Sequence, residues 1–227
     1  MAEHELFDKS PIRLVDKLCD SPLGAGDMAL VVSKKGLGKT SVLVQFGIDY
    51  LLRDKQVVHV SFDQKSANVI TWYANLFAEI AKKGPPSAKD SLTDLVKKRV
   101  ILNLSQDARV LPRIIATAKA LGEGGIKAQC LLIDDVNFST IGPGDFALLR
   151  DYAGEAGIFV CVSAAAEGEN LESVLPGGVS FDALFRLVSL PDMIEFRRVL
   201  PGPQGKKAPP PPVRLKVDSK TLLLTEV

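Results

Sequence analysis

Cysteine, histidine and net charge are all scarce in this chain. Of its 227 residues 3 are Cys and 2 are His, and 28 Lys+Arg stand against 27 Asp+Glu, a formal charge of +1. So balanced a charge removes the electrostatic footprint of a protein that grips nucleic acid regardless of sequence; only a local basic patch could serve that purpose. Cys19, Cys130 and Cys161 form neither a disulfide ladder nor a zinc spacing. The last two sit in apolar runs, where Cys is usually a small buried hydrophobe, so a reducing, cytoplasmic compartment is expected. His4 and His59 are isolated and show no metal spacing. No apolar run approaches the ~20 residues needed to span a bilayer. The charged opening MAEHELFDKS lacks the apolar core of a secretory leader, and no membrane partner is expected.

What is present is a hydrophobic content of 46%, enough for one globular domain with a full core. Residues 1–27 read as a lead segment that packs on a sheet edge or arranges a ligand, and 28–227 as the domain. MALVVS (28–33), QVVHVSF (56–62), VILNL (100–104), AQCLLIDDV (128–136) and IFVCVSA (158–164) are short apolar runs of the kind found in parallel strands covered on both faces. Helical periodicity fills 40–52, 66–83, about 110–121 and 145–157, with Trp72 and its aromatic neighbours read as core and a glycine stopping the last helix. The strand–helix alternation predicts an α/β fold with a mostly parallel, doubly wound sheet. After residue 180 four short strand-like runs predict C-terminal antiparallel hairpins. Between them PGPQGKKAPPPP (201–212) reads as an exposed Pro-rich loop, or as a docking segment for a proline-recognising partner.

The chemistry concentrates in SKKGLGKTS, residues 33–41. The pattern G-x-x-x-x-G-K-[ST] fits Gly38, Lys39 and Thr40, but Ser33 stands where its first glycine belongs. A chain leaving a buried strand here, turning on Gly36 and Gly38 and entering a helix brings free N–H groups and the positive dipole end to an anion. Ser33, Lys34, Lys35, Gly36, Leu37, Gly38, Lys39, Thr40 and Ser41 are therefore the expected nucleotide-binding residues. Lys39 reaches the terminal phosphates and Thr40 ligates Mg²⁺. Serine is small, so Ser33 weakens the motif without breaking it provided its backbone is not left-handed. Lys34 also falls where the deviant K-G-G-x-G-K-[ST] loop of the ParA/MinD family has its lysine, although Lys35 replaces that family's first glycine. CLLIDDV resembles a Walker B strand, with Asp134 as the Mg²⁺ partner and Asp135 orienting a water or contacting a neighbour.

SPLGAGDMALVVSKKGLGKTSVLVQFGIDYLLRDKQVVHVSFDQ resembles the opening of RecA/KaiC-like ATPases: a glycine turn, a strand, the phosphate loop, a helix carrying a Gln45-Phe46 pair, and a second strand ending in aromatic–acid. The resemblance covers about residues 20–227 and implies a RecA-like P-loop NTPase fold with ATP and Mg²⁺ as ligands. It also implies a catalytic glutamate at the tip of the second strand. This chain has Asp63-Gln64 there, one carboxylate a methylene shorter and one amide that orients water but cannot act as a base. Ser163 falls where many members carry a polar sensor. Arg197 and Arg198, with Arg214 and Lys216, lie where assembled members reach into a neighbour's site, so a homo-oligomer or a protein partner is expected. The expected function is a slow, Mg²⁺-dependent ATPase acting as a switch or assembly factor. A non-catalytic nucleotide-binding scaffold, a DNA-binding recombination or repair ATPase, and a ParA-like partitioning ATPase are the alternatives. Strand order separates the last: RecA-type sheets insert a strand between the phosphate-loop and Walker B strands, whereas ParA-type sheets pair them directly.

Overall fold

The computed structural model describes residues 6–62, 66–84, 95–166, 179–199 and 213–227. Five short apolar runs become the parallel strands β1 (Met28–Ser33), β2 (Val57–Ser61), β3 (Arg99–Asn103), β4 (Cys130–Asp134) and β5 (Phe159–Ala165), followed by β6 (Ala183–Ser189), β7 (Ile194–Val199), β8 (Leu215–Val217) and β9 (Leu224–Glu226). They form one nine-stranded sheet in the order β3-β2-β4-β5-β1-β6-β7-β8-β9. β6 runs parallel to β1, and antiparallel pairing begins only at β6–β7. The C-terminal runs form the expected antiparallel hairpins, and the first of them serves twice: β6 extends the parallel sheet beside β1 and turns back antiparallel on β7.

Alternation splits each central strand between two cores, which is why continuous apolar runs were needed. On one face Ala29, Val31, Cys130, Leu132, Phe159 and Cys161 meet α2 (Lys39–Leu52) and α3 (Ser66–Ala81). On the other, Leu30, Val58, Leu131, Ile133 and Val160 meet α4 (Val110–Glu123) and α5 (Pro143–Ala156). α5 ends at Gly157, whose φ of 60° is the left-handed stop that only glycine takes without strain. The lead segment, with the short helix α1 (Ile12–Asp16), belongs to the first core through Leu6, Ile12, Val15 and Leu18. It packs on α2 and on β9 at the sheet edge. Among the described residues no helix is long and apolar enough to cross a membrane.

Candidate functional site

Parallel strands deliver their C-terminal ends to one edge of the sheet, where loops meet. Ser61 at the end of β2 is in register with Asp134 at the end of β4, and Ser33 at the end of β1 with Ala165 of β5. A cavity of about 490 Å³ opens at this edge, lined by Lys35 to Thr40, Ser61, Asp134 and Asp135, with Trp72, Ile194, Val217 and Leu222 as its apolar side.

The 33–41 turn has the backbone the motif demands. Gly36 and Gly38 have φ of 82° and 97°, left-handed values that any side chain would strain. Gly38 is the N-cap of α2 and offers it no side-chain cap, so the helix presents its first N–H groups toward the cavity. Ser33 is absent from the positive-φ residues, and its hydroxyl donates to the Lys34 carbonyl at 2.7 Å. The substitution therefore meets the condition for a turn that closes unchanged. Lys34 is exposed and stands off the cavity, whereas Lys35 lines it. Ser41 also turns away: its hydroxyl donates to the Leu222 carbonyl at 2.8 Å.

Lys39 is only 7% exposed, and its Nζ lies 3.5 Å from Asp135 Oδ1. Thr40 Oγ1 donates to Asp134 Oδ2 at 2.7 Å, joining the turn to β4 across 94 positions of sequence. Ser163, two residues short of the end of β5, donates from Oγ to Asp134 Oδ1 at 2.6 Å and accepts from the Asp135 amide at 2.8 Å. It holds the Asp134 carboxylate rather than lining the cavity. Burial pushes the Asp134 carboxyl above its usual range; the Ser163 and Thr40 hydroxyls pull it back, Asp135 adds to the rise, and Lys39 opposes it. A buried carboxylate held by neutral hydroxyls, with a second carboxylate beside it, is short of positive charge.

Asp63 and Gln64 lie outside the described residues. Arg197 and Arg198 are on β7 but not at the cavity. Arg198 donates to the Leu18 carbonyl and to Asp20, binding the lead segment to the sheet, and Arg197 pairs with Glu195, which also accepts from Arg214. Trp72 packs half-buried against the first core and also forms a cavity wall, while its neighbour Tyr73 is fully buried in that core. Helical spacing places both on one side of α3 but does not tell the edge of a core from its centre.

Sequence reasoning also missed how the C-terminal hairpin closes the site. Gln45 donates from Nε2 to the Leu222 carbonyl at 3.1 Å and accepts at Oε1 from the Leu224 amide at 2.8 Å, the second bond fully in the interior. Gln45-Phe46 stands out in the sequence as a pair, but nothing local announces a bond across 179 positions. Leu222 has a φ of 59°, a left-handed value uncommon for leucine, and its amide donates to the Asp218 carbonyl. Chemically, the edge offers an ammonium group, uncapped helix N–H groups and a hydroxyl–carboxylate pair of hard oxygens, suited to a polyanion carrying a hard cation. Neither family models nor curated proteins give a match to this chain.

Proposed function

We propose that this cavity binds a Mg²⁺–nucleoside triphosphate, ATP, and that the protein is a RecA/KaiC-like P-loop ATPase of low turnover, working as a nucleotide-dependent switch or assembly factor. The observation that carries the reading is the Thr40–Asp134 hydrogen bond at the mouth of a turn whose two glycines are left-handed. An ordinary glycine-rich strand-to-helix turn has no need of a hydroxyl and a buried carboxylate meeting there. Strand order adds support: β5 lies between β1 and β4, as in RecA-type sheets and unlike those of the ParA-type alternative.

In this reading the backbone of 36–39 cradles the phosphates and Lys39 neutralises the terminal ones. Thr40 and Asp134 would hold Mg²⁺. Their fit rests on the oxygen pair they form and on the buried, charge-deficient state of Asp134. Bound there, the metal would supply charge neutralisation on the transferring phosphoryl group. Trp72, Val217 and Leu222 give the base an apolar wall. β2 reaches the cavity at Ser61, two residues before Asp63, the residue assigned to water activation. Its shorter carboxylate is the reason for expecting slow turnover, since misplacing a catalytic group by 1 Å can cost about 10²-fold.

Titration calorimetry of ATP with Mg²⁺ against the native protein and Lys39→Ala tests this. Charge-assisted hydrogen bonds are worth about 1.5–3 kcal/mol each, so the substitution should weaken binding by about 10- to 100-fold or more. Equal affinity in the two proteins would end the reading.

A further inference from the structure

Asp135 has an unusual combination of features. Its φ of 61° is left-handed, a conformation that costs a non-glycine residue about 1 kcal/mol or more. The backbone is fastened there from both sides. Its amide donates to Ser163 Oγ at 2.8 Å, its carbonyl accepts from Gln106 Nε2 at 2.9 Å, and the Val136 amide donates to the Ser163 carbonyl at 2.7 Å. Gln106 is itself fixed by accepting from the Asn137 amide at 2.7 Å. The result of this fastening is a carboxylate aimed at Lys39. Asp135 Oδ1 is shielded from solvent, makes no hydrogen bond, and stands 3.5 Å from Lys39 Nζ.

We infer that Asp135 is a positioning residue which acts through Lys39: it is the internal counter-ion that holds the ammonium group in the nucleotide-free chain and that an incoming triphosphate must displace. The inference rests on the nucleotide-binding reading above and deepens it. A separation of 3.5 Å without a hydrogen bond is attraction without a lock. Such a contact keeps a buried ammonium from standing unpaired, yet yields to an anion that offers it charge-assisted hydrogen bonds. Among the described residues the ion pair of Lys39 is with Asp135, whereas Asp134 accepts from the Thr40 and Ser163 hydroxyls. Asp135 therefore lowers the affinity of the loop for phosphate and makes binding an exchange of partners at Lys39. That suits a switch, whose ligand must leave as well as arrive.

Asp135→Asn tests this, because asparagine tolerates the left-handed region and keeps the shape while losing the charge. The probe is inorganic tripolyphosphate in excess EDTA, which excludes any role of Asp135 toward a metal. Calorimetry should show the variant binding about 3- to 10-fold tighter than the native protein. Simple repulsion between Asp135 and the anion would also give a gain, so a ligand-free measurement accompanies it. Urea denaturation of Lys39→Met, Asp135→Asn and the double variant should give stability changes that are not additive, because each single change orphans the other charge. Additive changes overturn the inference, as does unchanged or weaker tripolyphosphate binding by Asp135→Asn. If the native protein binds neither tripolyphosphate nor Mg²⁺–ATP, the nucleotide reading itself fails; non-additivity would then still establish the Lys39–Asp135 pairing, but not its purpose.

Discussion

The two ends of α2 treat charge in opposite ways. At the C-terminal end Asp49 is wholly buried and fully engaged: Arg13 meets both its oxygens at 2.9 Å, and Arg53, one turn on, meets Oδ2 at 2.7 Å. Arg13 lies over the Phe7 ring and Arg53 over Tyr50, so the cations are packed as well as paired. Arg53 also stands where a cation suits the negative end of the helix dipole. At the N-terminal end Lys39 has a distant partner, Asp134 has only hydroxyls, and Asp135 is backbone-strained. One end is closed electrostatically and fastens the lead segment to the domain. At the other, Lys39 stands 3.5 Å from Asp135 and Asp134 accepts from the Thr40 and Ser163 hydroxyls. In the proposed reading a single rigid helix separates anchoring from binding, and the anchored end can sustain mismatch at the other.

The comparison breaks most visibly at Asp49. Replacing it with alanine leaves two arginines facing each other across a buried gap. Removing one partner of a buried ion pair costs about 3–5 kcal/mol, and the lower figure applies because both arginine side chains keep about a quarter of their surface in water. Urea denaturation should show a loss of about 3 kcal/mol, with faster amide exchange in α1, whose Arg13 is released. Affinity for Mg²⁺–ATP should stay within about twofold of native. If affinity collapses along with stability, the two ends are not independent and the comparison fails.

His59 sharpens it, because it lies beneath the middle of the same helix. Its Nδ1 is 3.2 Å from Tyr73 Oη, which packs so tightly against Gly47 of α2 that no Cβ fits there. Its Nε2 is buried without a partner. Burial, with the Arg99 guanidinium adding to it, pushes the imidazole down to about 3. In the unfolded chain the group titrates near its ordinary 6.5. Between those values the unfolded state holds a proton that the folded state refuses, so stability falls as pH drops from 6.5 toward 3. The slope approaches about 1.4 kcal/mol per pH unit, or about 2 kcal/mol lost by pH 5. His59→Gln keeps a polar partner for Tyr73 and should flatten that slope in urea melts from pH 7 to 5. A slope equal to native would assign the acid sensitivity elsewhere.

Much of this architecture was legible. The five apolar runs located β1 to β5 to within one or two residues, because strands covered on both faces must be apolar throughout. The spacing of Gly36, Gly38, Lys39 and Thr40 located the turn, and the Asp-Asp at the end of CLLIDDV located its partner. What was illegible depends on contacts between distant parts of the chain. A strand's composition does not say which way its neighbour runs, so the β6–β7 hairpin was legible but not that β6 also lies parallel to β1. Nothing near Asp49 in the sequence announces its partner Arg13, 36 positions earlier. Arg198 looked free for a neighbour's site, but the lead segment claims it. Ser163 looked like a sensor at a strand tip, yet its bond to Asp134 depends on β4 and β5 being adjacent.

The smallest effect is the most diagnostic. Asp134 is as buried as Asp49 in practical terms, at 2% exposure, but among the described residues no cation reaches hydrogen-bonding distance of it. Its carboxyl is raised above the usual range by burial, so the folded chain binds that proton more tightly than the unfolded one does. The sign follows: the group favours folding at pH below its unfolded value, and this contribution is lost as pH rises through the folded one. At neutral pH the charge therefore works against the ligand-free fold. Asp134→Asn removes that charge while leaving an oxygen to accept from Thr40 or Ser163. The melting temperature of the ligand-free protein should rise slightly at pH 7, and the difference from native should shrink as pH falls. The same variant should lose the gain in ATP affinity that Mg²⁺ brings to the native protein. Asp49→Asn makes the contrast complete, because there the same chemical change should lower the melting temperature and leave the Mg²⁺ effect intact. If Asp134→Asn destabilises the ligand-free protein as Asp49→Asn does, then Asp134 is as structural as its counterpart and the open end of the helix is not built for a metal.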